Sequence, residues 1–269
     1  ARMGASVAMV GRVGQDGFGR ELVEGLRRDG VNAEWVRALE GATTGIASIW
    51  VEQPGGANAI AVVAGANGLL QPRDVEAAAE LLGGAQAVLL QLEVPLATVE
   101  AAVKLCRQAG VRAVLDPAPA RAEVAGWLGR LWAVTPNQQE TEVLVGVPVR
   151  SPEEGARACR ALLDRGVAVA VVKMGEQGVV VGGEPAGGIY HVPALPVQAV
   201  DTTAAGDSFA GALAACLAEG MELVAACRWA NAAAALSTTR PGAQPSLPRR
   251  HEVQELVSRL GLPQPRRIG

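Results

Sequence analysis

Ala168-Val169-Ala170-Val171-Val172-Lys173-Met174-Gly175 is the stretch on which the reading of the architecture turns. Apolar residues run from Ala168 to Val172 without a polar break, then stop at a glycine turn. A strand with one wet face would alternate; an unbroken run reads as a strand buried on both faces, the habit of parallel sheets. Similar strands are predicted at Ala87–Gln91, at Val111–Leu115 ending in Asp116-Pro117, and at Leu131–Thr135 ending in Pro136-Asn137. A first strand is predicted at Val7–Val10, within Ala5–Val10. Helical patterns fall between them, at Gly19–Asp29, Pro95–Gln108 and Gln138–Leu144. Strand and helix in alternation predict an α/β fold: a three-layer, mostly parallel sheet with helices on both faces and right-handed crossovers.

One segment breaks the alternation. From Thr43 to Ala64 the order is strand, turn at Pro54-Gly55-Gly56, strand. Ile46, Ser48, Trp50 and then Ile60 and Val62 recur in period two, as in a hairpin with one covered face. A lone hairpin is marginal in water, so it must pack on something: a ligand edge it covers as a lid, or a second copy. The reading therefore assigns 1–42 and 65–269 to one α/β core and 43–64 to a β-hairpin lid segment. A second hairpin is predicted at Val179–Val181 and Tyr190–Val192, followed by Ala-rich helices at Asp207–Glu219 and Leu223–Leu236.

Composition narrows the function. Apolar residues make up 49% and aromatics only 3%, so the core must be built of Ala, Val and Leu. The net charge of −3 offers no basic footprint for nucleic acid. Cys106, Cys159, Cys216 and Cys227 show no metal-ligand spacing and read as reduced core thiols of a cytoplasmic protein. No apolar run approaches the ~20 residues that a membrane span requires.

The polar exceptions gather where open α/β sheets bind ligands, past the carboxyl ends of the strands. In Asp201-Thr202-Thr203-Ala204-Ala205-Gly206-Asp207-Ser208-Phe209, small residues run straight into an apolar helix. First-turn amides have no helical acceptor, and the helix dipole adds positive potential, so Ala204, Ala205 and Gly206 can form an anion hole. Asp207 stands at the same helix start, either as a simple cap or as a general base for a hydroxyl attacking phosphate. Asn137 and Glu140 form N-x-x-E on a helix's first turn, as a capping pair or as ligands toward Mg²⁺ through water. Gly11 to Gly19 lacks the spacing of a dinucleotide turn.

Together these motifs resemble the ribokinase-like (PfkB) carbohydrate kinases. The Asp201–Phe209 stretch is similar to that family's second signature, and Asn137–Glu140 to its N-x-x-E. Residues 90–95, 116–121, 239–246 and Gly65-Ala66-Asn67 match as well, so the likeness covers essentially the whole chain. The resemblance implies ATP-dependent phosphorylation of the 5-hydroxyl of D-ribose, with Mg²⁺ required and K⁺ activating. The alternatives are a related kinase for another sugar or a nucleoside, or a non-catalytic nucleotide-binding chain. It implies Asp207 as catalytic base, Glu93 as a sugar contact, and Asn137, Gly206 and Asn231 at ATP, with Met174, Gly175, Glu176, Gln177 and Gly178 as the turn beneath the nucleotide. Asp201, Thr203, Ser237, Arg240, Gly242 and Ser246 are implied as the K⁺ loops, mostly through backbone carbonyls. A homodimer through the lid is implied too. Family members carry about fifty further residues upstream, including a sugar-binding Asp and a Gly-Gly-Lys-Gly-x-Asn signature, which are expected in the parent protein.

Overall fold

The structure is a computed structural model describing residues 1–51 and 58–269, and it divides into two compact units. One comprises residues 6–83 and 93–105. It opens with β1 (Gly11–Gly14), α1 (Gly17–Arg28) and β2 (Val36–Leu39), the two strands pairing in parallel with Gly11 opposite Val36. The expected strand at Val7–Val10 is displaced: Ala8 makes a single bridge to Asn32, and regular pairing starts at Gly11. The apolar run misled because the true strand contains Arg12, which is buried against Asp74 at 2.7 Å. Asp16 caps α1, accepting the Gly19 amide at 2.8 Å, and takes the Thr44 hydroxyl at 2.6 Å. That hydroxyl, before the Thr44 and Gly19 amides, pulls the Asp16 carboxyl down to about 2.

The hairpin follows as β3 (Ile46–Val51) and β4 (Asn58–Val63). The expected Pro54-Gly55-Gly56 turn lies outside the described residues. Register corrects the expected face. Ile46 pairs with Val63 and Ser48 with Ala61, whereas Val62 pairs with Ala47 and Ile60 with Ile49. Paired residues share a face, so Ile46 and Val62 fall on opposite sides of the ribbon. Ile46, Val62 and Val63 are all exposed. The unit continues through α2 (Pro72–Ala77) into α3 (Leu96–Ala109), whose residues up to Leu105 belong here.

The other unit comprises residues 1–5, 84–92 and 106–269 and carries the main sheet. Its strands are β5 (Ala87–Leu90), β6 (Arg112–Leu115), β7 (Ala133–Val134), β8 (Val169–Lys173), β9 (Val179–Gly183), β10 (Gly188–Val192) and β11 (Arg266–Arg267). They lie in that order across one sheet; β5 to β8 are parallel, and β9 to β11 add an antiparallel edge. Helices α4 (Gln138–Val145), α5 (Pro152–Leu163), α6 (Ala205–Ala218), α7 (Leu223–Thr238) and α8 (Arg250–Leu260) complete it.

Alternation along β9 explains the layers. Val179 and Val181 share a core with Phe209, Leu213 and the alanines of α6 and α7. Val180 and Gly182 face α5 instead: a side chain added at Gly155 would meet Val180 at 2.8 Å, and one at Gly182 would meet the Cys159 thiol at 2.8 Å. Successive residues of a strand point to opposite faces, so helices cover both. Alanine-rich α6 and α7 pack closely because small side chains let their backbones approach. The four cysteines are free and buried, and burial pushes the Cys159 thiol up to about 12. Among the described residues, no helix is long and apolar enough to cross a membrane.

Candidate active site

The polar exceptions of the sequence converge at the carboxyl edge of β6, β7 and β8. The Pro136 carbonyl accepts the Lys173 amide at 2.8 Å, and Asn137 and Lys173 form a parallel bridge, so the start of α4 sits against the end of β8. The Asn137 side chain caps α4 by accepting the Glu140 amide at 2.9 Å. Glu140 reaches back to the Asn137 amide at 2.7 Å and takes the Asn137 side-chain amide at 2.7 Å. This is a closed capping box. Burial pushes the Glu140 carboxyl up, and the Asn137 amide opposes that shift.

The start of α6 is built differently. Its N-cap, Ala204, has no side chain able to cap, and it sits in the left-handed region at φ 59°. A non-glycine residue there costs about 1–3 kcal/mol, a strain that tends to collect at functional sites. The Ala205 amide donates to the Thr202 carbonyl at 3.2 Å. Gly206 and Asp207 follow, their amides on the first turn and directed away from the helix body. Asp207 is exposed on one side and enclosed by protein on the others. Desolvation pushes its carboxyl above the ordinary aspartate value, Asp116 adds to this, and Lys173 opposes it. Open solvent on the exposed side tempers the shift.

Sequence reasoning quoted Asp116 and Lys173 as strand ends but gave them no role. In the structure, the Lys173 ammonium lies 2.6 Å from Asp116 Oδ2. The signal was available: Lys173 is one of only two lysines in the chain, and it follows a buried apolar strand.

Asp201 stitches two loops. It accepts the Thr203 amide at 2.9 Å and the Gly242 amide at 2.8 Å. The Thr203 hydroxyl, then the Gly242 amide, hold its carboxyl below the ordinary value. The amides of Val200 and Asp201 both donate to the Thr238 carbonyl, at 2.7 and 3.1 Å, hanging this loop from the end of α7. Ser237 and Ser246 are buried, with hydroxyls spent on the Ala234 and Ala243 carbonyls at 2.8 Å each, and Arg240 pairs with Glu252 at 2.6 Å.

Residues Met174 to Gly178 form the tight turn between β8 and β9, with the Met174 amide bonded to the Gly178 carbonyl at 2.8 Å. Gly178 is obligatory there: φ is 90°, and an added Cβ would lie 2.1 Å from the Val192 carbonyl oxygen. Asn231 donates to that same carbonyl at 3.0 Å, which brings α7 to the turn. Glu93 falls in the other compact unit and is exposed there.

Comparison with known proteins bears on the family and the fold. The profile of the pfkB family carbohydrate kinases matches residues 1–250. A ribokinase of Mus musculus is 38% identical over 92% of this chain and 77% of its own length. A deoxyribokinase of Salmonella typhi is 35% identical over 96% of this chain and 84% of its own. The structure of the Arabidopsis thaliana ribokinase complexed with ribose and ATP superposes with a TM-score of 0.83 at 30% identity, covering 95% of this chain and 83% of that one. The chain belongs to the pfkB family of carbohydrate kinases.

Proposed function

We propose that this protein transfers the γ-phosphoryl group of ATP to the 5-hydroxyl of D-ribose, with Asp207 as the base. The observation that carries the reading is the start of α6, where a carboxylate with a raised pKa stands beside outward-facing amides and no side chain caps the helix. Phosphoryl transfer asks the protein for placement and charge stabilisation more than for covalent chemistry. Asp207 accepts the proton of the sugar hydroxyl as its oxygen bonds to phosphorus. The amides of Gly206 and Asp207, with the turn at Ala204 and Ala205, receive the negative charge of the moving group. Met174 to Gly178, Asn231 and Asn137 supply the nucleotide platform, and Glu93 is assigned to the sugar.

Mg²⁺ suits the donor set as a water-held ion. Among the described residues no group of three or more His, Cys, Asp or Glu stands ready to hold a metal. Mg²⁺ usually keeps several waters and binds through one or two carboxylates plus substrate phosphates. Glu140 would act through such a water, and the ion would neutralise phosphate charge. K⁺ is assigned to the loops joined by Asp201, through carbonyls of residues 201–203 and 237–246. The open apolar faces of the hairpin, with Ile46, Val62 and Val63 exposed, support a lid and a homodimer contact. The four free, buried cysteines support a cytoplasmic location.

Assaying the full-length protein with ATP and Mg²⁺ against ribose, deoxyribose, fructose and adenosine tests the reading. Ribose should give the highest kcat/KM with ribose 5-phosphate as product. The match to a deoxyribokinase gives the second reading, 2-deoxyribose, and a higher kcat/KM for that sugar would select it.

A further inference from the structure

The mechanism above leaves Lys173 and Asp116 without a task. Lys173 ends β8 after buried Val169 to Val172, so its backbone is fixed by the sheet. Its ammonium meets Asp116 Oδ2 at 2.6 Å, and the two side chains are only 14% and 15% exposed. That pairing uses one of three ammonium donors. A Cβ placed on Gly206 would lie 3.3 Å from the same ammonium and 3.9 Å from Asp116 Oδ2, so the pair adjoins the second residue of the amide cradle. The other Asp116 oxygen, Oδ1, is buried with no hydrogen-bond partner among the described residues. Buried polar atoms are rarely left so, and a buried ion pair with an unpaired oxygen contributes little net stability. Asp116 and Asp207 place two carboxyls where a polyanionic nucleotide must arrive, and Lys173 supplies positive charge at that point.

We propose that Lys173 is a catalytic cation of the phosphoryl transfer, and that Asp116 is the residue that positions it. This rests on the kinase reading of the same site. The sugar oxygen bonds to the γ-phosphorus while the bond from that phosphorus to the β–γ bridging oxygen breaks. ADP departs with the electron pair, and the hydroxyl proton passes to Asp207. Lys173 keeps its proton throughout and donates to the non-bridging oxygens, whose charge Gly206 and Asp207 share through their amides. Gly206 admits this contact because it carries no side chain.

The test compares wild type, K173M, K173R and D116N in the full-length protein. K173M is expected to lower kcat about 100-fold, the scale of losing one donor to a developing oxyanion, with KM for the sugar within about threefold. K173R should recover at least about tenfold of that loss, because the charge returns. Calorimetric titration separates binding from structure: K173M should hold ADP within about twofold yet lose about 100-fold for ADP with aluminium fluoride, which mimics the moving group. D116N should lower kcat about tenfold and move the acid limb of kcat/KM to lower pH, since Asp207 loses a negative neighbour. The charged groups facing Asp207 there are Asp116 and Lys173, with Glu140 facing that pair.

K173M with kcat within about threefold of wild type overturns the proposal, as does equal weakening of ADP and of ADP with aluminium fluoride. If K173M unfolds, K173R and D116N carry the same readouts. A wild type that phosphorylates no sugar in the panel defeats the kinase reading instead, a result distinct from an active wild type indifferent to K173M.

Discussion

Helices α4 and α6 start at the same edge of the same sheet unit, and each bears an acid at the third helical position: Glu140 in one, Asp207 in the other. Their first turns end up opposite in character. Asn137 caps α4, and Glu140 closes the box, so amides and carboxylate satisfy one another. Ala204 cannot cap α6, so the corresponding acid and amides remain directed outward. On the kinase reading proposed above, what separates a structural helix start from a chemical one is the side chain at the N-cap, not the acid. A self-satisfied turn has little left to offer a ligand beyond a well-placed carboxylate. An uncapped turn is costly to keep and ready to bind an anion.

The harshest way to break this contrast is Asp207→Asn. Kcat should fall about 1,000-fold, within the range a lost general base produces, while calorimetric ADP affinity stays within about twofold. Comparable losses in E140A and D207N would erase the distinction between the two acids. A pH profile sharpens it. A base works only when ionised, and burial and Asp116 raise the Asp207 carboxyl. Activity should therefore fall as pH drops through a value above the ordinary aspartate range. An acid limb at or below that range would refute the assignment.

Gly206→Ala separates function from stability within α6 itself. Alanine is the better helix former by about 1 kcal/mol, so urea denaturation should show equal or greater stability. Its methyl group would crowd the Lys173 ammonium at 3.3 Å, and kcat should drop about tenfold. The gentlest change is Asn137→Ala, which opens the box on α4. Stability should fall by about 1 kcal/mol in the same assay. A change below a few tenths would mean that the box is ornamental.

The parallel strands were legible because burial on both faces writes itself as unbroken apolar runs, as at Val169–Val172. Where a polar residue was buried by a tertiary partner, the pattern failed. Arg12 hid β1 because only Asp74, far along the chain, makes its burial tolerable. Helix α5 escaped notice although its buried residues, Gly155, Ala158, Cys159 and Leu162 among them, recur at helical spacing between charged neighbours, because most of them are small rather than strongly apolar. The site divides in the same way. Asp207 and its small-residue turn, proposed as the site, lie within one local stretch of sequence, which is why a sequence reading can propose them. The Lys173–Asp116 pair joins residues 57 apart and depends on strand order, which no local pattern reports. Hairpin register was hidden too, since it is set by the turn rather than by the alternation of either strand.

Asp201, finally, makes the start of α6 the hostage of a loop nearly forty residues away. Its carboxylate grips the Gly242 amide while its own amide and that of Val200 hang from the Thr238 carbonyl, so the segment entering α6 and the segment leaving α7 are one mechanical joint. Slack in either segment becomes slack in both. Whatever stiffens residues 240–246 therefore tunes the cradle from behind, without touching sugar or nucleotide, and amide hydrogen exchange at Val200, Asp201 and Gly242 should slow or quicken in step.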